Sequence, residues 1–124
     1  MANPNLLAAT SMYGKVVAGT ITSSDVAVVT AASDTFVKIV SIKLSAHTDD
    51  VAYIGVKKSG ESTVEFYRGT IDNDTGLVSS EEQAPVSILG KGTVYLEEGD
   101  ALMINSDTGG DITYVISYEI YDDA

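Results

Sequence analysis

The feature that most constrains the fold is the alternation near the end of the chain. Between Ile112 and Tyr121, Ile112, Tyr114, Ile116, Tyr118 and Ile120 fall on one side of an extended backbone. Thr113, Val115, Ser117, Glu119 and Tyr121 fall on the other. Side chains on a strand alternate with period two, so this run predicts a half-buried strand with its isoleucines toward a core. Just upstream, Val94 and Leu96 alternate with Tyr95 and Glu97. Glu97-Glu98-Gly99-Asp100 then turns the chain into the apolar run 101–104, and Asp107-Thr108-Gly109-Gly110 turns it into the final strand. Three strands joined by two tight turns can form a meander or turn a corner between two sheets.

The rest of the chain carries the same signature. Strands are expected over 13–21, 26–30, 36–46, 51–57, 63–69 and 86–89, separated by Ser, Asp, Gly and Pro clusters. In the 36–46 run, Val40, Ile42 and Leu44 are expected on one face, with Ser41 and Lys43 opposite. Val64 and Phe66 are expected to alternate with Glu65 and Tyr67. Lys58-Ser59-Gly60-Glu61 reads as a hairpin turn. No long helical pattern competes. The expected fold is all-β: a single-domain antiparallel β-sandwich, jelly-roll-like, of about eight strands. Residues 1–12 read as an extended N-terminal arm and residues 13–124 as the sandwich. At 124 residues the chain can bury a core without covalent staples.

Composition excludes several chemistries. There is no cysteine, which removes disulfides, thiolate metal sites and cysteine nucleophiles. His47, the single histidine, sits in the polar segment Ser45-Ala46-His47-Thr48-Asp49-Asp50 and is read as a loop residue. The formal charge is −11, and no Lys or Arg follows Lys91. Such a surface repels phosphate backbones, so no nucleic acid is expected as a partner. No apolar run approaches the roughly 20 residues that span a bilayer, and no secretion signal is visible, so a soluble protein made in a cytoplasm is expected. The loop Asp72-Asn73-Asp74-Thr75-Gly76 has oxygen ligands at alternate positions, but its spacing departs from a calcium loop. It is read as an Asx-rich turn, and neither metal nor cofactor is expected. Glu81-Glu82 and Glu97-Glu98 are adjacent, so on strands their carboxylates would point apart and make no acid–base couple. No enzymatic activity is expected.

The ending, with Tyr95, Leu96, Gly99, Asp100 and Leu102 followed by Val115, Ser117, Tyr118 and Glu119, resembles small virion structural proteins of tailed bacteriophages. So do the short opening arm, Tyr13-Gly14-Lys15, and the long VKIVSIKLSA strand. The resemblance implies a capsid decoration, or cement, protein: non-enzymatic, on the outer capsid surface, bound to the major capsid protein or another virion protein, and homo-oligomeric, commonly a trimer. Neck, tail or fibre proteins, and a carbohydrate-binding jelly-roll module, are the alternatives. Leu6 and Leu7 on the arm, and Tyr67 and Tyr95 on outward sheet faces, are the expected partner contacts.

Overall fold

The structure is a computed structural model and describes residues 12–71, 86–87 and 93–122. Among these residues nine strands run in chain order: β1 (Met12–Thr20), β2 (Val26–Thr30), β3 (Thr35–Ala46), β4 (Asp50–Lys57), β5 (Thr63–Ile71), β6 (Val86–Ser87), β7 (Val94–Leu96), β8 (Ala101–Ser106) and β9 (Ile112–Asp122). Sheet I has the order β1-β9-β3, and β6 and β7 both pair with β3. Since β9 takes one edge of β3, β6 and β7 share the other, against Lys43–Leu44 and Val37–Ile39. They fill one strand position, so the sheet has four positions. Sheet II has the order β2-β8-β4-β5. Every pairing is antiparallel.

Among the described residues the chain crosses between sheets at almost every connection, and β4–β5 is the one hairpin within a sheet. Eight positions wound this way form a jelly roll. Of the two arrangements open to the last three strands, the corner is the one observed. β7 lies in sheet I, β8 in sheet II and β9 again in sheet I, and none of the three pairs with another.

The corners are held by two buried carboxylates, one at each end of the β4–β8 ladder. Asp100, 3% exposed, accepts hydrogen bonds from the Glu97 amide (3.1 Å), the Ser59 amide (3.4 Å) and Lys58 Nζ (2.8 Å). It thereby ties the β7–β8 turn to the β4–β5 hairpin. Asp50 accepts from the Val51 amide (2.8 Å), the Thr108 amide (3.3 Å) and the Gly109 amide (3.4 Å), fixing the β8–β9 turn. Gly109 has φ 86°, and a Cβ there would stand 2.8 Å from the Ser23 amide nitrogen, so the turn needs glycine twice over. The Gly99-Asp100 pair that carried the sequence resemblance is therefore a corner-making device.

The inner faces meet in one apolar cluster. Ile39, Ile42, Leu44, Ile112 and Ile116 of sheet I pack with Ala52, Ile54, Leu102 and Ile104 of sheet II. Tyr114, Tyr118 and Ile120 pack against it from β9, as the alternation required.

Two β-bulges change the expected faces. In β3 the register with β9 slips between Ile39 and Ser41, so Ile39, Ile42 and Leu44 face the core while Val40 is turned out and 48% exposed. In β5 the register with β4 slips at Phe66: Glu65 pairs with Gly55 and Tyr67 with Ile54. Tyr67 therefore faces inward and packs on the core, while Phe66 is exposed. The Tyr67 ring lies over Gly69, where a Cβ would stand 2.6 Å from its hydroxyl.

Candidate docking face

The outer face of sheet I follows from the register. With Ile39, Ile42, Leu44 and Ile116 inward, the residues turned out are Phe36, Lys38, Val40 and Lys43 on β3, and Val115, Ser117, Glu119 and Tyr121 on β9. Their partners on β1 are Met12, Gly14, Val16 and Ala18. Tyr95 of β7, opposite Lys38, joins them. Apolar side chains normally leave such a face. Here Val16 is 67% exposed, Met12 54%, Tyr95 48% and Val115 44%. The exposed residues are not scattered. A shallow depression of about 380 Å³ is lined by Gly14, Lys15, Val16, Val40, Ser117 and Glu119. Gly14 and Ser117 keep its floor low, and the two valines stand beside it. At one end of the face, Phe36 and Tyr121 stack with ring centroids 4.9 Å apart, and Phe36 is already buried there, 1% exposed. The Tyr121 hydroxyl donates to Glu119 (2.8 Å), and that hydrogen bond raises its pKa above the ordinary tyrosine range.

Charge on this face is sparse and mixed in sign. Lys38 stands opposite Glu119 and Lys43 opposite Val115, on a chain whose formal charge is −11. The arrangement suits burial against a largely apolar surface: exposed valines around a notch that a partner side chain can fill, with one lysine and one glutamate in its lining.

The outer face of sheet II is built differently. Tyr53, between inward Ala52 and Ile54, carries the Arg68 guanidinium over its ring at 4.9 Å. Arg68 Nε donates to Glu65 (2.8 Å), and the Tyr53 hydroxyl donates to Asp107. The bond to Asp107 raises the Tyr53 pKa, with Arg68 pulling the other way. Thr63, at the start of the bulged β5, reaches across to Asp25 (2.8 Å). Between these groups lies a cleft of about 160 Å³ lined by Asp25, Tyr53, Gly55, Thr63, Glu65 and Asn105. Asn105 Oδ1 is buried there without a partner among the described residues. The cleft has room for water and is smaller than the ~300–1,000 Å³ of typical ligand pockets. Among the described residues no three His, Cys, Asp or Glu side chains converge as metal ligands.

Of the expected contacts, Tyr95 stands on the outer face of sheet I, 48% exposed. Tyr67 does not face outward, for the reason given by the β5 bulge. Leu6, Leu7 and the Asp72–Asp74 loop lie outside the described residues, as does most of the expected arm, and β1 begins at Met12. His47 stays at the surface, its Nε2 3.5 Å from Asp111. The residues missed in the sequence are Val16, Val40 and Val115. Val115 was readable as the single large aliphatic on the polar side of β9. Val40 was hidden by the bulge.

No protein-family model matches the chain, and no curated protein matches it in sequence. Solved structures do match in fold. A chain from Bacillus endospore appendages, described as a novel family of disulfide-linked pili, aligns over 92% of this chain and 88% of its own, with 9% identity and a TM-score of 0.56. A chain from the acid-stable capsid structure of Helicobacter pylori bacteriophage KHP30 aligns over 94% and 91%, with 11% identity and a TM-score of 0.55. At these identities the likeness is one of fold: a small all-β sandwich.

Proposed function

We propose that the chain is a non-enzymatic structural subunit of a virion, most specifically a capsid decoration protein that lays the outer face of sheet I on the major capsid protein and stabilises contacts between capsomers. One observation carries this reading. Val16, Val40, Val115 and Tyr95 are exposed on one sheet face of a jelly roll whose core is complete without them. Apolar area left in water is recovered on docking at about 25 cal/mol per Å², and the depression beside Val16 and Val40 gives that burial a shape to match. Two further points support it. The fold is shared with chains from a capsid and from a pilus, both of which are assemblies. The strand-turn-strand ending resembles virion proteins of tailed phages. With no cysteine in the sequence, attachment would rest on non-covalent burial, unlike the disulfide-linked pili. Leu6 and Leu7 would add apolar anchors, with the ordering cost shared over many copies.

The test is addition of the purified chain to bare capsids of the phage that encodes it. Binding at a regular stoichiometry, with increased resistance of the particles to heat or low salt, is the expected result. The double variant Val40→Asp/Tyr95→Ser, which keeps β1 intact, should bind at least ~10-fold more weakly. Absence of the chain from capsids at saturating concentration, or equal binding by the double variant, would refute the reading.

A further inference from the structure

The edges of the two sheets are not equally guarded. A sheet edge is a row of unpaired amides and carbonyls, and proteins that stay apart blunt it with bulges, charges or interruptions. Three of the four edges here are blunted. β2 carries a register slip at Val28. β5 carries the Phe66 bulge and the Glu65–Arg68 ion pair. On the far edge of β3, among the described residues, only the short strands β6 and β7 are found. The fourth edge is β1. Its nine residues pair with β9 in unbroken register, with no bulge and no proline. Among the described residues nothing pairs with its other side.

Charge singles out the same strand. The chain carries 18 Asp and Glu, yet none precedes Asp25, so β1 is free of acid. Its one charge is Lys15, whose Nζ lies 5.9 Å from the centroid of its own neighbour Tyr13. Two copies of a −11 protein repel over most of their surface, whereas approach through β1 brings no carboxylate of this strand against another. Antiparallel pairing centred on Val16 sets Val16 against Val16, Lys15 against Val17, Gly14 against Ala18 and Tyr13 against Gly19, so the two lysines are not opposite. It would also cover Met12, Tyr13 and Val16, which are large apolar or aromatic residues exposed at this edge.

We propose that the free edge of β1 is a self-association site, pairing antiparallel with β1 of a second copy so that two copies of sheet I join into one continuous sheet across a two-fold axis near Val16. The pairing extends the reading of the chain as an assembly subunit by naming a second copy as one partner. It uses the strand edge, where capsid docking uses the sheet face; Val16 belongs to both, so the two are separated by reading docking at Val40 and Tyr95 and self-association without capsids. It also gives a two-fold pair in place of the trimer that the sequence resemblance implied.

The experiment is sedimentation equilibrium of the full chain without capsids, with two variants. The natural chain should dimerise. Val16→Asp, at an exposed position, should keep its circular dichroism and thermal midpoint and raise the dimer dissociation constant at least ~10-fold, because it sets two carboxylates face to face. Val16→Cys should form a disulfide-linked dimer on mild oxidation, since directly opposed residues of an antiparallel pair lie within disulfide reach. Val115→Cys, exposed but on the neighbouring strand β9, should not. A monomer at the highest soluble concentration, a trimer, a dimer indifferent to Val16→Asp, or equal crosslinking from both cysteines would each overturn the proposal. None of these bears on capsid binding by Val40 and Tyr95, which is read on particles.

Discussion

The outer faces of the two sheets begin from the same strand chemistry and are finished in opposite ways. On sheet II most of the polar groups that point out have found one another, Asn105 Oδ1 excepted. Arg68 lies over Tyr53 and against Glu65, Tyr53 donates to Asp107, and Thr63 reaches Asp25. On sheet I the outward strip through Val16, Val40, Val115 and Tyr95 offers water apolar groups with no such closure. A face whose hydrogen bonds are internally met gains little from a partner. A face of exposed aliphatics around a notch gains with every Å² covered. On sheet II the exposed large apolar residues, Val26, Val64 and Phe66, stand on the edge strands β2 and β5, and this difference supports the outer face of sheet I as the proposed docking surface.

The comparison can be broken by mutation, beginning where the effect is largest. Ile116 is fully buried and joins the two inner faces, so Ile116→Ala should cost about 3–4 kcal/mol in urea unfolding. A loss under about 1 kcal/mol would mean that the sandwich does not close on this residue. Gly55→Ala comes next. A Cβ there would stand 2.5 Å from the Val64 carbonyl oxygen, because the bulged start of β5 folds back over β4. About 2–3 kcal/mol of overpacking is expected, with the Thr63–Asp25 hydrogen bond of sheet II broken and sheet I untouched. Asp100→Ala should cost about 1–2 kcal/mol, since the Glu97 and Ser59 amides are left without their acceptor. Lys58, whose pKa is raised chiefly by its hydrogen bond to Asp100, should return toward the ordinary lysine range in that variant. Val115→Ser, adjacent to Ile116 and on the opposite face, should change stability by no more than about 0.5 kcal/mol while weakening capsid binding. A destabilisation comparable to Ile116→Ala would show that Val115 is already covered and that sheet I has no bare face.

Much of the fold was legible because period-two patterning and turn chemistry are local. The β9 alternation named Ile112 and Ile116 as core, and both are buried. The Gly99-Asp100 and Gly109-Gly110 turns were visible as turns. Whether they close hairpins or corners was not, because that depends on Asp100 reaching Ser59 and Asp50 reaching Thr108, over 41 and 58 residues of chain. The candidate site was harder to read for the same reason. A bulge adds one residue against a partner strand and reverses every face beyond it, and nothing in Ile39-Val40-Ser41 or Glu65-Phe66-Tyr67 marks the slip. Strict alternation puts Val40 in the core and Tyr67 at the surface, and it holds only within an unbroken strand. Tyr95 is legible as an outward residue because β7 is too short to slip.

The smallest expected effect tests whether sheet II is as closed in solution as its hydrogen bonds imply. Tyr53 has a raised pKa, first from its bond to Asp107 and then from burial and the adjacent carboxylate charge. A proton held more tightly in the folded state contributes stability below the unfolded pKa, and that contribution is lost as pH rises through the folded value. The natural chain should therefore lose a small increment of thermal stability at alkaline pH that Tyr53→Phe does not lose. The phenolate absorbance missing from Tyr53→Phe should develop above the ordinary tyrosine range. Asp107→Asn should move it back down, because the acceptor charge is removed while Arg68 still favours the phenolate. If Tyr53 instead ionised in the ordinary range and ignored Asp107→Asn, the outer network of sheet II would be open to water. Its tyrosine and guanidinium would then be as available to a partner as the valines of sheet I, and the asymmetry that supports the proposed docking face would be gone.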